Sequence, residues 1–159
     1  MRLLPIMTLV LLGVISCSSP ANNGALSIVD AWARPANLGD NSAVYFVIEN
    51  PTPAQDTLLG AYSEQAGTTE MHMTMSMEPP RDATGGPDAV PGIENGVMRM
   101  APQASVLIPP NAAVSFEPGG LHIMLIALHR DLQTGDTLHL TLEFEQAGII
   151  EIAVPVAER

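Results

Sequence analysis

The residues in this chain that could do chemistry are mostly neutral soft donors. Apart from Met1 and Met7, seven methionines fall in three short windows: Met71, Met73, Met75 and Met77; Met98 and Met100; and Met124. Two of these windows also hold a histidine, His72 and His122. The plainly core-forming runs (43–48, 106–108 and 138–144) contain no methionine. That clustering argues against methionine as a filler of core gaps and for a soft-metal site. Thioethers bind calcium and magnesium poorly, whereas a methionine and histidine set suits copper, above all Cu(I).

Geometry limits which donors can meet. In GGLHIMLIAL (119–128), a β-strand would project His122 and Met124 from one face and Leu121, Ile123 and Leu125 from the other. Same-face neighbours lie about 6.5 to 7 Å apart at Cα, so both side chains can reach one ion. Across 69–77, Met71, Met73, Met75 and Met77 share one face while Glu70, His72, Thr74 and Ser76 share the other. A regular strand therefore cannot aim His72 and its methionine neighbours at the same ion, although a bulge or strand end would relax this. Met98 and Met100 share a face, with Arg99 opposite. His129, in the turn-like HRDLQTGD, and His139, on the polar side of an alternating strand, read as solvated surface. Trp32, in DAWARP, reads as a core or sheet-end aromatic.

Cys17 is the only cysteine, which excludes an intramolecular disulfide, a thiolate zinc site and a blue-copper centre. No nucleophile sits in a recognisable motif and no glycine-rich phosphate loop follows a strand, so the chain is read as a non-enzyme. The formal charge is −11 and every basic residue is arginine. Such a surface repels phosphate backbones, which argues against nucleic acid as a partner.

The elements that must position these donors follow from punctuation. Residues 1–16 carry Arg2 and then an apolar run too short to span a bilayer, ending Val14-Ile15-Ser16 before Cys17. This resembles a lipobox and implies a lipoprotein signal peptide over 1–16, lipid on Cys17, a tether over 17–25 and an extracytoplasmic, membrane-anchored domain over 26–159. From Leu26 on, short alternating runs are separated by turn clusters such as Asn50-Pro51-Thr52-Pro53 and Pro118-Gly119-Gly120. They predict ten strands, at 26–34, 42–50, 56–63, 68–77, 96–101, 105–108, 112–117, 121–128, 137–145 and 149–156, and hence a single all-β domain, an antiparallel β-sandwich. Residues 78–94, rich in proline and glycine, predict an exposed loop.

With DAWARP, AVYFVIEN, TEMH ending at His72, NGVMRM ending at Met100, GGLHIMLIAL and LTLEFEQAG in this order, the chain resembles the periplasmic PCu(A)C-type copper chaperones from about Ile28 to Val156. The resemblance implies a cupredoxin-like Greek-key sandwich holding Cu(I) at an exposed site through His72, Met100, His122 and Met124. It also implies delivery of copper to the CuA centre of cytochrome c oxidase, on subunit II, alongside a Sco-type thioredoxin-like protein. The 21 residues between Met100 and His122 match the family spacing, while the 27 between His72 and Met100 exceed it. A change of register there would let Met73 or Met98 replace a ligand. Met71, Met73, Met75, Met77 and Met98 therefore stand as secondary donors. Two other readings stay open: a periplasmic copper storage or tolerance protein, and a lipid-anchored interaction module that uses methionine only for packing.

Overall fold

The alternation in TLHLTLEF is enough to fix one sheet. Leu138, Leu140, Leu142 and Phe144 are all buried, while Thr137, His139 and Glu143 are exposed. Repeated along the chain, this two-residue period builds two sheets whose inner faces cover each other. The computed structural model describes residues 24–77 and 97–159. The segment expected as a signal peptide, Cys17, the expected tether up to residue 23 and the Pro/Gly-rich segment lie outside the described residues.

The described residues form ten strands: β1 (Ser27–Ala33), β2 (Ser42–Asn50), β3 (Asp56–Tyr62), β4 (Ala66–Met77), β5 (Val97–Pro102), β6 (Val106–Ile108), β7 (Ala112–Phe116), β8 (Leu121–Leu128), β9 (Thr137–Phe144) and β10 (Gly148–Pro155). One sheet has the order β1-β2-β7-β8-β4-β5, and the other β10-β9-β3-β6. The core between them is aliphatic, with Val44, Ile48, Leu58, Ile108, Ile123, Leu125, Leu138, Leu140, Leu142 and Val154 fully buried and Phe46 stacked on Phe116 at 4.5 Å. No helix among the described residues is long and apolar enough to cross a membrane.

One feature departs from a purely antiparallel plan. β2 is long enough to pair with β7 through Phe46–Asn50 and with β8 through Ser42–Val44. Thus β7 and β8 run end to end along the same edge of β2 and touch in parallel at Phe116 and Leu121. The link between them is Glu117-Pro118-Gly119-Gly120, where Gly119 adopts φ +83°, a left-handed conformation that a side chain would strain. A second irregularity re-aims an aromatic. Asp30 has φ 54°, and the β1 register slips between Val29 and Trp32, so Trp32 falls opposite Tyr45.

The far end is tied by buried polar groups. Asn50 donates from Nδ2 to the carbonyls of Ala54 and Pro109 and accepts from Thr52, while buried Asp56 accepts from the backbone N–H groups of Thr57, Gln146 and Ala147. Burial alone would push the Asp56 carboxyl up, but the three N–H donors outweigh it and hold its pKa below the usual carboxylate value.

Candidate metal centre

β8 supplies the centre of the arrangement. Ile123 and Leu125 are fully buried in the core, so the period of two turns His122 and Met124 to the outer face of the six-stranded sheet. β4 lies antiparallel beside it, with His72 directly opposite His122 and Glu70 opposite Met124. The two imidazoles are consequently cross-strand neighbours, their ring centroids 5.8 Å apart and their planes at 68°. On the other side of β4, β5 pairs Thr74 with Met100 and His72 with Pro102, which brings Met100 to the same face as the histidines. All four residues expected as ligands therefore share one face across three adjacent strands.

The other face of β4 takes the remaining methionines, as its alternation requires. Met71 is 5% exposed and belongs to the main core, so it does not join the histidine pair. The apolar side of β4 turns inward because it is the side that can be buried, and Met71, expected as a secondary donor, lies on that side. Met73 and Met75 have the same parity, with Met75 exposed opposite Arg99. Met77 and Met98 are placed by backbone pairing only, Met77 opposite Val97 and Met98 opposite Ser76. That register puts Met98 on the His72 face, one same-face step further from His122 than Met100.

The site was expected to be exposed, and it is so only in part. His122 is 4% exposed, Met124 is half-buried and Met100 is 55% exposed. Sequence alternation gives the face but not the neighbours, and here the neighbours are aromatic. Tyr45 lies 6.3 Å from the His122 ring and Trp32 lies 4.6 Å from Tyr45. Together with Ala43, these form a small cluster apart from the main core. Trp32 thus lies outside the main core and packs behind Tyr45, with the Arg159 guanidinium 5.7 Å above its ring. A cleft of about 350 Å³ opens on the outer face and is lined by His122, Met124, Met100, Thr74, Tyr45 and Arg34 among others.

Hydrogen bonds fix how the imidazoles are presented. His122 Nδ1 is 3.0 Å from the Gly120 carbonyl, so that nitrogen carries the proton and Nε2 keeps its lone pair. The same carbonyl accepts from the Thr74 N–H, which ties the glycine link to β4. His72 Nε2 is 2.8 Å from Glu70 Oε2, whereas His72 Nδ1 is buried and has no hydrogen-bond partner. Buried polar nitrogens are nearly always satisfied, so an unmatched imidazole nitrogen on the face that also carries Met100 and Met124 fits a soft-metal donor set. Among the described residues no group of three or more His, Cys, Asp and Glu side chains is placed to hold a metal. His129 and His139 are exposed, as expected, and neither approaches the histidine pair.

Sequence reasoning missed Glu70 and Tyr45. The parity of Glu70 with His72 was visible, but an acidic residue two positions from a histidine is common and carries no signal of its own. Tyr45 became a wall of the site only through the β1 slip and the β2–β8 pairing.

Comparison with known proteins gives the chain relatives in family and in fold. A family model described as "Putative lipoprotein LpqE-like" matches residues 26–90 and 92–156. A Leifsonia xyli subsp. xyli relative with a lipoprotein name, Lxx21020, is 26% identical over 159 residues, spanning 94% of this chain and 85% of that protein. The copper-bound PCuAC domain from PmoF2 superposes with a TM-score of 0.63 at 22% identity, covering 84% of this chain and 93% of that one. The solution structure of Cu(I)-loaded DR1885 from Deinococcus radiodurans gives 0.55 at 25% identity, covering 87% of this chain and 84% of that one. The fold is that of cupredoxin-like PCuAC domains.

Proposed function

This chain belongs to the LpqE-like lipoprotein family, and from that premise we propose that it is an extracytoplasmic Cu(I) carrier that surrenders its ion by ligand exchange. The cargo would be held by His72, Met100, His122 and Met124. One observation carries the reading: these four neutral donors share a single open face, and one of them keeps a buried nitrogen with no partner. The Cu(I)-loaded DR1885 and copper-bound PmoF2 domains support it by analogy of fold.

The burial gradient suits a carrier. Met100, at 55% exposed, is the donor an incoming ligand reaches first, while His122, at 4%, is the last to be released. Neutral thioether and imidazole ligands can be displaced one at a time by an acceptor's thiolate, with no covalent bond made or broken in the carrier. The acceptor in this reading is the CuA centre of cytochrome c oxidase subunit II, with a Sco-type thioredoxin-like protein working beside it. Lipid on Cys17 would hold the carrier at the membrane surface and raise its concentration near that acceptor.

Anaerobic Cu(I) titration of the purified protein against a competing chelator tests the proposal. One ion per chain is expected for the wild type, and loss of tight binding in both His122→Ala and Met124→Ala. A wild type that yields all its Cu(I) to a weak chelator would end the proposal.

A further inference from the structure

The two imidazoles of the site are oriented by different kinds of group. His122 is held by a backbone carbonyl, Gly120 O, which no side-chain change removes. His72 is held by a side chain, the Glu70 carboxylate, at 2.8 Å from Nε2. A carboxylate at neutral pH only accepts hydrogen bonds, so the proton of the His72 ring sits on Nε2. Its lone pair is then on Nδ1, the buried nitrogen without a partner. The opposite holds for His122, where Nδ1 carries the proton and Nε2 is free.

Resting on the Cu(I)-carrier reading, we propose that Glu70 is a positioning residue that locks His72 as the Nε2–H tautomer, so that the ion is held through Nδ1 of His72 and Nε2 of His122. Two observations and one general rule converge on this. Glu70 occupies the same face of β4 as His72, and it stands opposite Met124 in the β4–β8 register, next to the other donors. Leaving a buried nitrogen unmatched is costly unless something takes its lone pair. Carboxylates commonly accept the remaining N–H of metal-bound histidines, which fixes the ring and raises its basicity as a ligand. Glu70 itself is 43% exposed at the side chain and hydrogen-bonds only the histidine edge, so its effect is on the donor atom and not on the core.

Long-range 1H–15N spectra of the histidine-labelled purified protein test the proposal, recorded apo and after anaerobic Cu(I) loading. Cu(I) is diamagnetic, so both states are readable. The apo spectrum should show His72 protonated at Nε2, and loading should move its Nδ1 resonance while Nε2 keeps its proton. For His122, Nε2 should move and Nδ1 should keep its proton. Glu70→Gln retains an acceptor oxygen and should bind Cu(I) within about threefold of wild type. Glu70→Leu removes it and should weaken binding by about 10- to 100-fold, with a mixture of His72 tautomers in the apo spectrum. Ligation of His72 through Nε2, or an apo His72 carrying its proton on Nδ1, would overturn the proposal and leave the carrier reading intact. Wild-type affinity in a folded Glu70→Leu would do the same. Failure of the wild type to retain any Cu(I) would overturn both. Should Glu70→Leu not fold, the wild-type spectra and Glu70→Gln decide alone.

Discussion

Loss of copper binding in a variant means little if the variant also loses its structure, and the burial gradient across the site predicts which variants separate the two. His122 is 4% exposed, its ring lies against Tyr45 and His72, and its Nδ1 bonds the Gly120 carbonyl at 3.0 Å. Removing it costs about 1 kcal/mol for the hydrogen bond and more for the space left behind. His122→Ala should thus destabilise the apo protein by about 2 to 3 kcal/mol. For a domain of this length that is a fall of about 6 to 12 °C in apo Tm. Met100 is 55% exposed, so Met100→Leu removes the sulfur and little packing. Its apo stability should stay within about 0.5 kcal/mol of wild type. The copper response should move the other way. Loss of a partner outside the ligand shell already costs about 10- to 100-fold in metal affinity, so loss of a donor should cost at least about tenfold, or 1.4 kcal/mol. Because a bound ligand stabilises by RT ln(1 + [L]/Kd), the Cu(I)-induced rise in Tm should be about 4 to 5 °C smaller in Met100→Leu than in wild type. Differential scanning calorimetry of apo and Cu(I)-loaded samples under nitrogen reads both quantities together. An unchanged apo Tm with a full copper-induced rise in Met100→Leu would show that this thioether is not a ligand, and the face-sharing argument for the four donors would be refuted.

Two other outcomes follow from the same coordinates. Met71→Leu conserves volume at a position 5% exposed in the core, so it should cost less than about 1.5 kcal/mol and leave Cu(I) stoichiometry and affinity as in wild type; a loss of bound copper would place this methionine in the site. Asp56, whose pKa is held down by three backbone N–H groups despite its burial, contributes stability above its unfolded pKa that is lost as pH falls from about 4 through its folded value. Asp56→Asn should therefore unfold more easily in denaturant at pH 7, by about 1 to 3 kcal/mol, with the gap to wild type narrowing in acid. A constant gap across that range would mean the carboxylate's charge is not what the amides stabilise.

The strands were legible because their pattern is local. Ten runs bounded by Pro, Gly, Asn and Asp became ten strands with ends within about two residues, and Ser42–Asn50 and Leu121–Leu128 match at both ends. Pairing was not legible, since nothing in the local pattern says that β7 and β8 share one edge of β2, or that β1 slips at Asp30. The β1 slip packs Trp32 on Tyr45, and Tyr45 in turn lines the cleft beside His122.

The candidate site shows the same division within a single strand. Alternation along β4 established that His72 and Met71 cannot meet, and the structure keeps them on opposite faces. What alternation lacks is a sign: it separates two faces without naming the inner one. Four methionines against Glu, His, Thr and Ser decide the sign by transfer free energy, since the thioether face costs less to bury than a face bearing a carboxylate and an imidazole. The methionine clustering that pointed to copper is thus, for Met71, a consequence of core packing, and its value as a ligand signal rests on Met100 and Met124. These two lie across from polar or small partners, Thr74 and Ala43, on the face that stays open. A methionine therefore carries metal-site information only when the opposite parity of its own strand is able to form the core, as Ile123 and Leu125 do opposite Met124.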